Sequence, residues 1–351
     1  MAIEKFDTVS SVAAMDVSRL RVPSLQTQHF MTPAGAPAID QATLGWALAV
    51  AASVVVVVVA LLLVTAIFRT RDPATRARQP TVDDAPEHGT PVIRGQASGM
   101  RAMYVGLAIT TLILAMTFAA TAVAIARTNR TTGNPAVTIH IIAHQWWWEA
   151  RYDDGVPAHT FTTANELHIP LNEVVRLTIE SPDVIHSFWI PELAGKTDAI
   201  PGQENVAWFQ AKRTGEFRGQ CAEYCGVQHA HMGSVVIADS APAYQQWATA
   251  QRSAARAVTD SLAQLGQRLF VRTCGACHAV NGTDALGVVG PDLTHVATRA
   301  TIGAGLVRNT HANLLVWVRN AQLLKPGVQM PPMLMPTDEL NAVVTYLESL
   351  R

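Results

Sequence analysis

The pattern of apolar positions divides the chain before any single residue is considered. Two stretches carry no charge, "LGWALAVAASVVVVVVALLLVTAIF" at 44–68 and "MYVGLAITTLILAMTFAATAVAIA" at 103–126, runs of 25 and 24 residues. Each exceeds the roughly 20 residues that span a bilayer core, and apolarity on every face is not the pattern of a half-buried surface helix. The first run begins too far into the chain, and is too long, for a cleavable signal core. The pattern therefore predicts a transmembrane hairpin over 41–131, behind an N-terminal tail, 1–40, that lacks clear periodicity.

Beyond the second run the period becomes two. Val137, Ile139 and Ile141, then Leu167 and Ile169, then "VVRLTIE" and "GSVVIA" alternate or cluster between Gly, Pro and Asn. This predicts several short strands and a small β-barrel or sandwich over 132–240. A third texture starts near 240, where the Ala-rich "SAPAYQQWATAQRSAARAVTD" reads as a helical connector, 241–257. Residues 258–351 read as helices separated by loops. In the closing "PTDELNAVVTYLESL", Leu340, Val343, Val344, Leu347 and Leu350 share one helical face, with Thr337 or Asp338 expected as its cap.

Charge orients the hairpin. The connection 69–102 holds Arg69, Arg71, Arg76, Arg78, Arg94 and Arg101, against Lys5, Arg19 and Arg21 before the first span. The positive-inside rule puts that connection in the cytoplasm, and everything after about residue 127 on the opposite face, which in a bacterium is the periplasmic side of the inner membrane. Composition agrees with a membrane-attached, multi-domain chain: 351 residues, 49% hydrophobic and 15% charged. A net charge of −1 with no basic run argues against a nucleic-acid partner.

All four cysteines fall into two clusters, and each cluster has company. "GQCAEYCGVQHAHMG" (219–233) gathers Cys221, Cys225, His229, His231 and Met232. Thiolate with imidazole suits zinc or copper, and the thioether tilts the set toward copper. Two cysteines four apart suffice to bridge two metal ions; spacing alone leaves His229 and His231 equivalent. The second cluster, "CGACH" (274–278), carries the C-x-x-C-H signature of c-type haem attachment: Cys274 and Cys277 fix the porphyrin through thioethers and His278 is the proximal iron ligand. The sixth ligand should be a methionine, and "KPGVQMPPMLMP" offers Met330, Met333 and Met335.

These residues carry a resemblance. "GQCAEYCGVQHAHM" resembles the binuclear copper A motif, C-x-E-x-C-x₃-H-x₂-M, of subunit II of haem-copper cytochrome c oxidases, and "DVIHSFWIPELAGKTDAIPGQ" (183–203) resembles the segment that supplies its other histidine. The resemblance implies a cupredoxin-like Greek-key β-barrel in which Cys221 and Cys225 bridge two coppers. His186 and His229 are then the imidazole ligands, Met232 a weak ligand, and Glu223 a ligand through its main-chain carbonyl. It further implies that the Glu223 side chain reaches a magnesium or manganese ion at the border with subunit I. "IIAHQWWWEARY" (141–152) is similar to the family's aromatic segment, where Trp146 takes the position that receives electrons from cytochrome c. Trp147 and Trp148 are read as packing or interface anchors, and His140, His144, His159, His168, His231 and His295 as packed or solvated.

"LGQRLFVRTCGACH" resembles the first helix of an all-α class I cytochrome c, with Gly266 letting that helix approach the Tyr346 region. The K-P-G-x-x-M-P pattern favours Met330 as iron ligand, leaving Met333 and Met335 to pack at the haem edge. Pro291 resembles the proline whose carbonyl accepts the second N–H of the proximal histidine. Together these features are similar to the caa-type subunit II, in which a cytochrome c domain follows the copper domain.

The implied function is electron entry into a terminal oxidase. Electrons pass from a cytochrome c or cytochrome bc donor through haem c and copper A to subunit I, beside subunit III in membrane lipid, for oxygen reduction coupled to proton translocation. Two alternatives keep part of the chemistry: the copper A subunit of a nitric oxide reductase, and a membrane-tethered copper-delivery protein. Quinol oxidase subunits lack the copper ligands present here. One departure from the family stands in "RGQASGMRAMYV", which has no acidic residue at the start of the second span, with Glu87 distant, so a proton-entry role is not carried over.

Overall fold

The computed structural model describes residues 31–69, 96–128 and 133–351. Most of the tail, and Arg71, Arg76, Arg78, Arg94 and Glu87 of the connection, lie outside them. Two long helices, Ala36–Arg69 and Gln96–Thr128, cover both apolar runs. Each contains a stretch long and apolar enough to cross a membrane, Ala36–Phe68 and Gly99–Thr128. Several hydroxyls within them bond to their own helix: Ser53 Oγ donates to Ala49 O, Thr110 Oγ1 to Gly106 O and Thr117 Oγ1 to Leu114 O. A helix in hydrocarbon needs that economy, because lipid offers no partner to a polar atom. Residues 40–130 form one compact unit; the rest of the described chain forms a second.

The second unit opens with a cupredoxin-like β-domain. One sheet runs in the order β3-β2-β1-β5-β8, from β1 (Val137–His144), β2 (Trp147–Asp153), β3 (Phe161–Ala164), β5 (Val175–Glu180) and β8 (Asn205–Phe209). A second has the order β4-β10-β9, from β4 (Glu166–Pro170), β9 (Gly215–Gln220) and β10 (Gly233–Asp239), and β6 (His186–Phe188) pairs with β7 (Thr197–Ala199). β1 lies parallel to β5, and β4 parallel to β10, so the strands are interleaved in sequence rather than joined as successive hairpins. The period-two alternation has its expected cause: Ile139 and Ile141 of β1 are fully buried, as are Leu167, Ile169, Leu177, Ile179, Phe217 and Val236, and all of them belong to one core between the sheets. The strands hydrogen-bond as separate sheets around that core, not as a closed ring.

The connector begins as a helix, Ala241–Arg252, that buries Tyr244 and Ala248 against the β-domain and stacks Trp247 on His168 at 4.3 Å. The C-terminal domain is helical, with Ser261–Thr273, His311–Asn320 and Thr337–Ser349 as its main helices. A two-residue-per-strand hairpin, β11 (Thr301–Ile302) with β12 (Val307–Arg308), interrupts it, a detail too short for periodicity to signal. Leu340, Val343, Val344, Leu347 and Leu350 are all buried, as their spacing predicts. A Cβ on Gly266 would collide with the main chain of Ala342 and crowd Tyr346 Cβ, so glycine is what lets the first and last helices cross. The expected cap of the last helix is corrected. Pro336, in extended backbone, occupies the cap position and no side chain caps the helix; Thr337 already lies inside it, its Oγ1 accepting from Arg319. Asp338 and Glu339 instead sit in the first turn, where a carboxylate complements the helix dipole.

Candidate functional site

The loop between β9 and β10 brings the first cysteine cluster back onto β6. Cys221 N–H donates to Met232 O, closing the loop, and Ala222 N–H donates to Ser187 O, tying it to the strand that carries His186. The two sulfurs stand 3.8 Å apart. His186 Nδ1 is 3.9 Å from Cys221 Sγ, His229 Nδ1 is 3.6 Å from Cys225 Sγ, and Met232 Sδ is 3.8 Å from Cys225 Sγ. Glu223 contributes its main-chain oxygen, 3.2 Å from Cys221 Sγ, while its side chain is exposed. Cys221, Cys225, Met232 and His186 are buried, and His186, Cys221 and Cys225 lie within one metal-sized cluster.

Electrostatics prepares this cluster for cations. The hydrogen bond shared with the Cys225 sulfur, with the His186 contact, overcomes burial and holds the Cys221 thiol well below the usual thiol range. Burial of Asp183 works against its ionisation, yet hydrogen bonds from His186 and from the Val184 and Gln145 amides keep the carboxyl at about 2. Asp183 Oδ1 sits 2.8 Å from His186 Nε2. Because the carboxylate can only accept, Nε2 carries the proton and Nδ1 presents its lone pair to the sulfurs. Two thiol sulfurs, two imidazole Nδ1 atoms, a thioether and a carbonyl are a soft donor set that fits two copper ions better than one zinc, whose sites use no thioether. Sequence reasoning missed Asp183; its signal was the acidic residue three before a candidate ligand.

The second cluster sits where the helix Ser261–Thr273 ends. Cys274 is its C-terminal cap, and Cys277 and His278 N–H both donate back to Cys274 O, so one tight turn presents both sulfurs and the imidazole. His278 Nδ1 donates to Pro291 O at 2.8 Å, which leaves Nε2 as the free lone pair. Burial pushes the imidazole toward its neutral, ligating form. A Cβ on Gly290 would come within 2.6 Å of the His278 ring, so that wall must be bare. A cleft of about 240 Å³ opens beside them, its walls including Phe270, Val289, Trp317, Met330 and Met333. Met330 and Met333 line it, whereas Met335 packs against the domain core without reaching it. Two cysteines in one turn, an oriented imidazole and a thioether around an apolar cleft fit a covalent haem.

Trp146 joins the two clusters. Its ring lines the same cleft as His278 and Met330, while its Nε1–H donates to Cys225 O at 2.9 Å. It is only 7% exposed. Trp147 also lines the cleft and stacks on His144 at 4.3 Å; Trp148 is fully buried, with Phe188 at 5.0 Å. Among the described residues the remaining histidines have local partners: His140 with Thr178, His144 with Glu149, His159 with Asp154, His168 with Asp239, His231 with Gln228, His295 with Ser253 O and His311 with Glu348. A further buried group that sequence gave no reason to expect is Lys325, 1% exposed, whose Nζ donates to main-chain oxygens on both domains. Burial pushes its ammonium down to about 7.

Comparison with known proteins assigns both domains. Residues 157–239 match the family of the cytochrome c oxidase subunit II periplasmic domain, and residues 263–351 match the cytochrome c family. Among relatives, a cytochrome c oxidase subunit 2 of Alkalihalophilus pseudofirmus is 37% identical over 221 residues, covering 62% of this chain and 63% of its own. One of Bacillus subtilis is 32% identical over 228 residues, covering 62% and 63%. The periplasmic domain of subunit II of the cytochrome oxidase of Bradyrhizobium japonicum is 31% identical, covering 35% of this chain and 97% of its own, with a TM-score of 0.33. The chain thus spans a little under two thirds of the length of the relatives it matches first. In order along the chain, it is similar first to a subunit II periplasmic domain and then to a cytochrome c.

Proposed function

We propose that the chain is the electron-entry subunit of a haem-copper terminal oxidase in a bacterial inner membrane, taking electrons from a cytochrome c-type or cytochrome bc donor through haem c and binuclear copper A to subunit I for reduction of oxygen to water. Bound haem and copper supply one-electron carriers that the polypeptide itself lacks. The observation that carries this reading is Trp146, whose ring faces the cleft of His278 and Met330 while its indole N–H holds the carbonyl of Cys225. One residue therefore bonds the copper-ligand loop and lines the cleft of the haem-site residues.

The residues divide the work. Cys221, Cys225, His186, His229, Met232 and the Glu223 carbonyl would hold the coppers, and Cys274, Cys277, His278 and Met330 would hold the haem. Asp183 and Pro291 fix the tautomers of His186 and His278, so each ring offers its metal the free nitrogen without rearrangement. Pre-oriented ligands move little when the electron count changes, which favours fast transfer. The exposed Glu223 carboxylate is left to reach a magnesium ion against subunit I. Fusion of the two domains replaces a diffusional encounter with a tethered one. The two apolar helices anchor both domains beside subunits I and III.

The test is purification of the assembled complex from membranes, with mass spectrometry of its partners and oxygen uptake driven by reduced cytochrome c. Oxygen consumption by a complex containing subunit I is the expected result. Consumption of nitric oxide instead of oxygen would transfer the chain to a nitric oxide reductase, and copper transfer to another protein without either turnover would make it a delivery protein.

A further inference from the structure

The contact between the copper and haem domains is built around a cation. Lys325 stands at the head of the loop that leads to Met330, and its Nζ donates to Trp146 O at 2.7 Å, His231 O at 2.7 Å and Gly303 O at 3.0 Å. An ammonium has three N–H donors, and here each has one acceptor, two on the copper domain and one on the haem domain. No carboxylate pairs with it among the described residues. A buried charge is costly unless all its donors are met, so one relative arrangement of the domains satisfies it and displaced arrangements leave it deficient. Three further hydrogen bonds cross the same contact: Gln228 Nε2 donates to Pro326 O, Gly233 N–H to Ala304 O, and Ala300 N–H to Glu166 Oε2. Gly327 passes over the Trp146 ring, at a distance where an added Cβ would make van der Waals contact.

We propose that Lys325 is a positioning residue, a clasp that fixes the haem domain over Trp146 and thereby closes the copper centre to any electron donor other than the tethered haem. The proposal rests on the haem-to-copper reading above and adds to it the exclusion of soluble donors. One electron leaves the haem iron and one arrives at the copper pair; Lys325 exchanges neither, and acts by holding Trp146 between them. A soluble cytochrome would have to displace the clasped domain before it could touch the indole.

The experiment compares the full-length chain with Lys325→Met, first by hydrogen exchange without added metal. The Gly233 and Ala300 amides, both bonded across the domain contact, exchange at least tenfold faster in the variant, while amides of β1 keep their protection. With both cofactors loaded and the haem held oxidised, reduced soluble class I cytochrome c then reduces copper directly at least tenfold faster in the variant. Lys325→Arg, which keeps the charge and its donors, restores part of the exclusion. Unchanged exchange at both amides together with unchanged reactivity toward soluble cytochrome c overturns the proposal. If Lys325→Met does not fold, as judged by loss of β1 protection, Lys325→Gln carries the same two tests. Absence of copper or haem signals in the unaltered chain would count against the relay itself, and the metal-free exchange measurement would still decide the clasp.

Discussion

Replacing Asp183 with asparagine removes one charge and almost no volume, yet it disturbs a site in which every oxygen is used. The carboxylate accepts three hydrogen bonds: Oδ1 from His186 Nε2 at 2.8 Å and from Val184 N at 2.6 Å, and Oδ2 from Gln145 N at 2.7 Å. An amide can accept at only one of the two positions. If its oxygen keeps the Oδ1 site, the NH₂ faces the Gln145 amide donor to donor, and the unmet N–H costs about 1–3 kcal/mol of stability. If its nitrogen faces His186, the imidazole must accept at Nε2 and carry its proton on Nδ1, the atom that faces Cys221. That tautomer cannot bind metal, and copper affinity falls by about 10- to 100-fold, the usual effect of losing the partner of a ligating histidine. The assay is a chelator competition titration of the full chain in detergent, paired with its thermal unfolding. Asp183→Asn must weaken copper binding or lower the unfolding midpoint. A variant unchanged in both would refute the claim that this carboxylate sets the His186 tautomer.

Other substitutions probe the remaining links. His229→Ala abolishes stoichiometric loading of the second copper while His231→Ala, whose ring contacts Gln228, leaves it intact, as measured by metal content per chain. Met330→Ala converts the haem from six- to five-coordinate in its optical spectrum, and Met335→Ala, which lies off the cleft, does not. Gly266→Ala forces a methyl into the main chain of Ala342 and destabilises the haem domain by about 1–3 kcal/mol, which in a domain of this size lowers its midpoint by roughly 4–8 °C per kcal/mol. Because the obstruction is backbone, adding Ala342→Gly brings no recovery, and recovery would contradict the packing argument.

How much of the molecule is legible in its sequence depends on whether the controlling physics is local. The apolar runs, the alternation of Ile139 and Ile141 and the buried face from Leu340 to Leu350 each follow from a period in sequence, and the fold keeps all of them. The Cys274 to His278 turn is equally local. The choice between His229 and His231 is not, because two residues on one turn differ only in what lies opposite: Cys225 Sγ faces the first and Gln228 the second, and spacing carries no trace of either. The expected cap of the last helix is off by one residue: Thr337 has the right chemistry, but Pro336 reaches the cap position first. The burial of Lys325 is not legible in the K-P-G-x-x-M-P pattern it opens, since a lysine in a loop is ordinarily solvated. Only the meeting of two domains makes it a buried donor.

The electron-relay reading requires one chain to hold both a mixed-valence copper pair and a covalent haem. An EPR and optical spectrum of the full-length chain after copper loading and haem attachment, with metal analysis on the same sample, examines both at once. One unpaired electron shared equally by two copper nuclei gives a seven-line hyperfine pattern, and that pattern is expected with two coppers per chain beside a low-spin, six-coordinate haem. A four-line pattern from a single copper, or zinc in the copper's place, would contradict the relay.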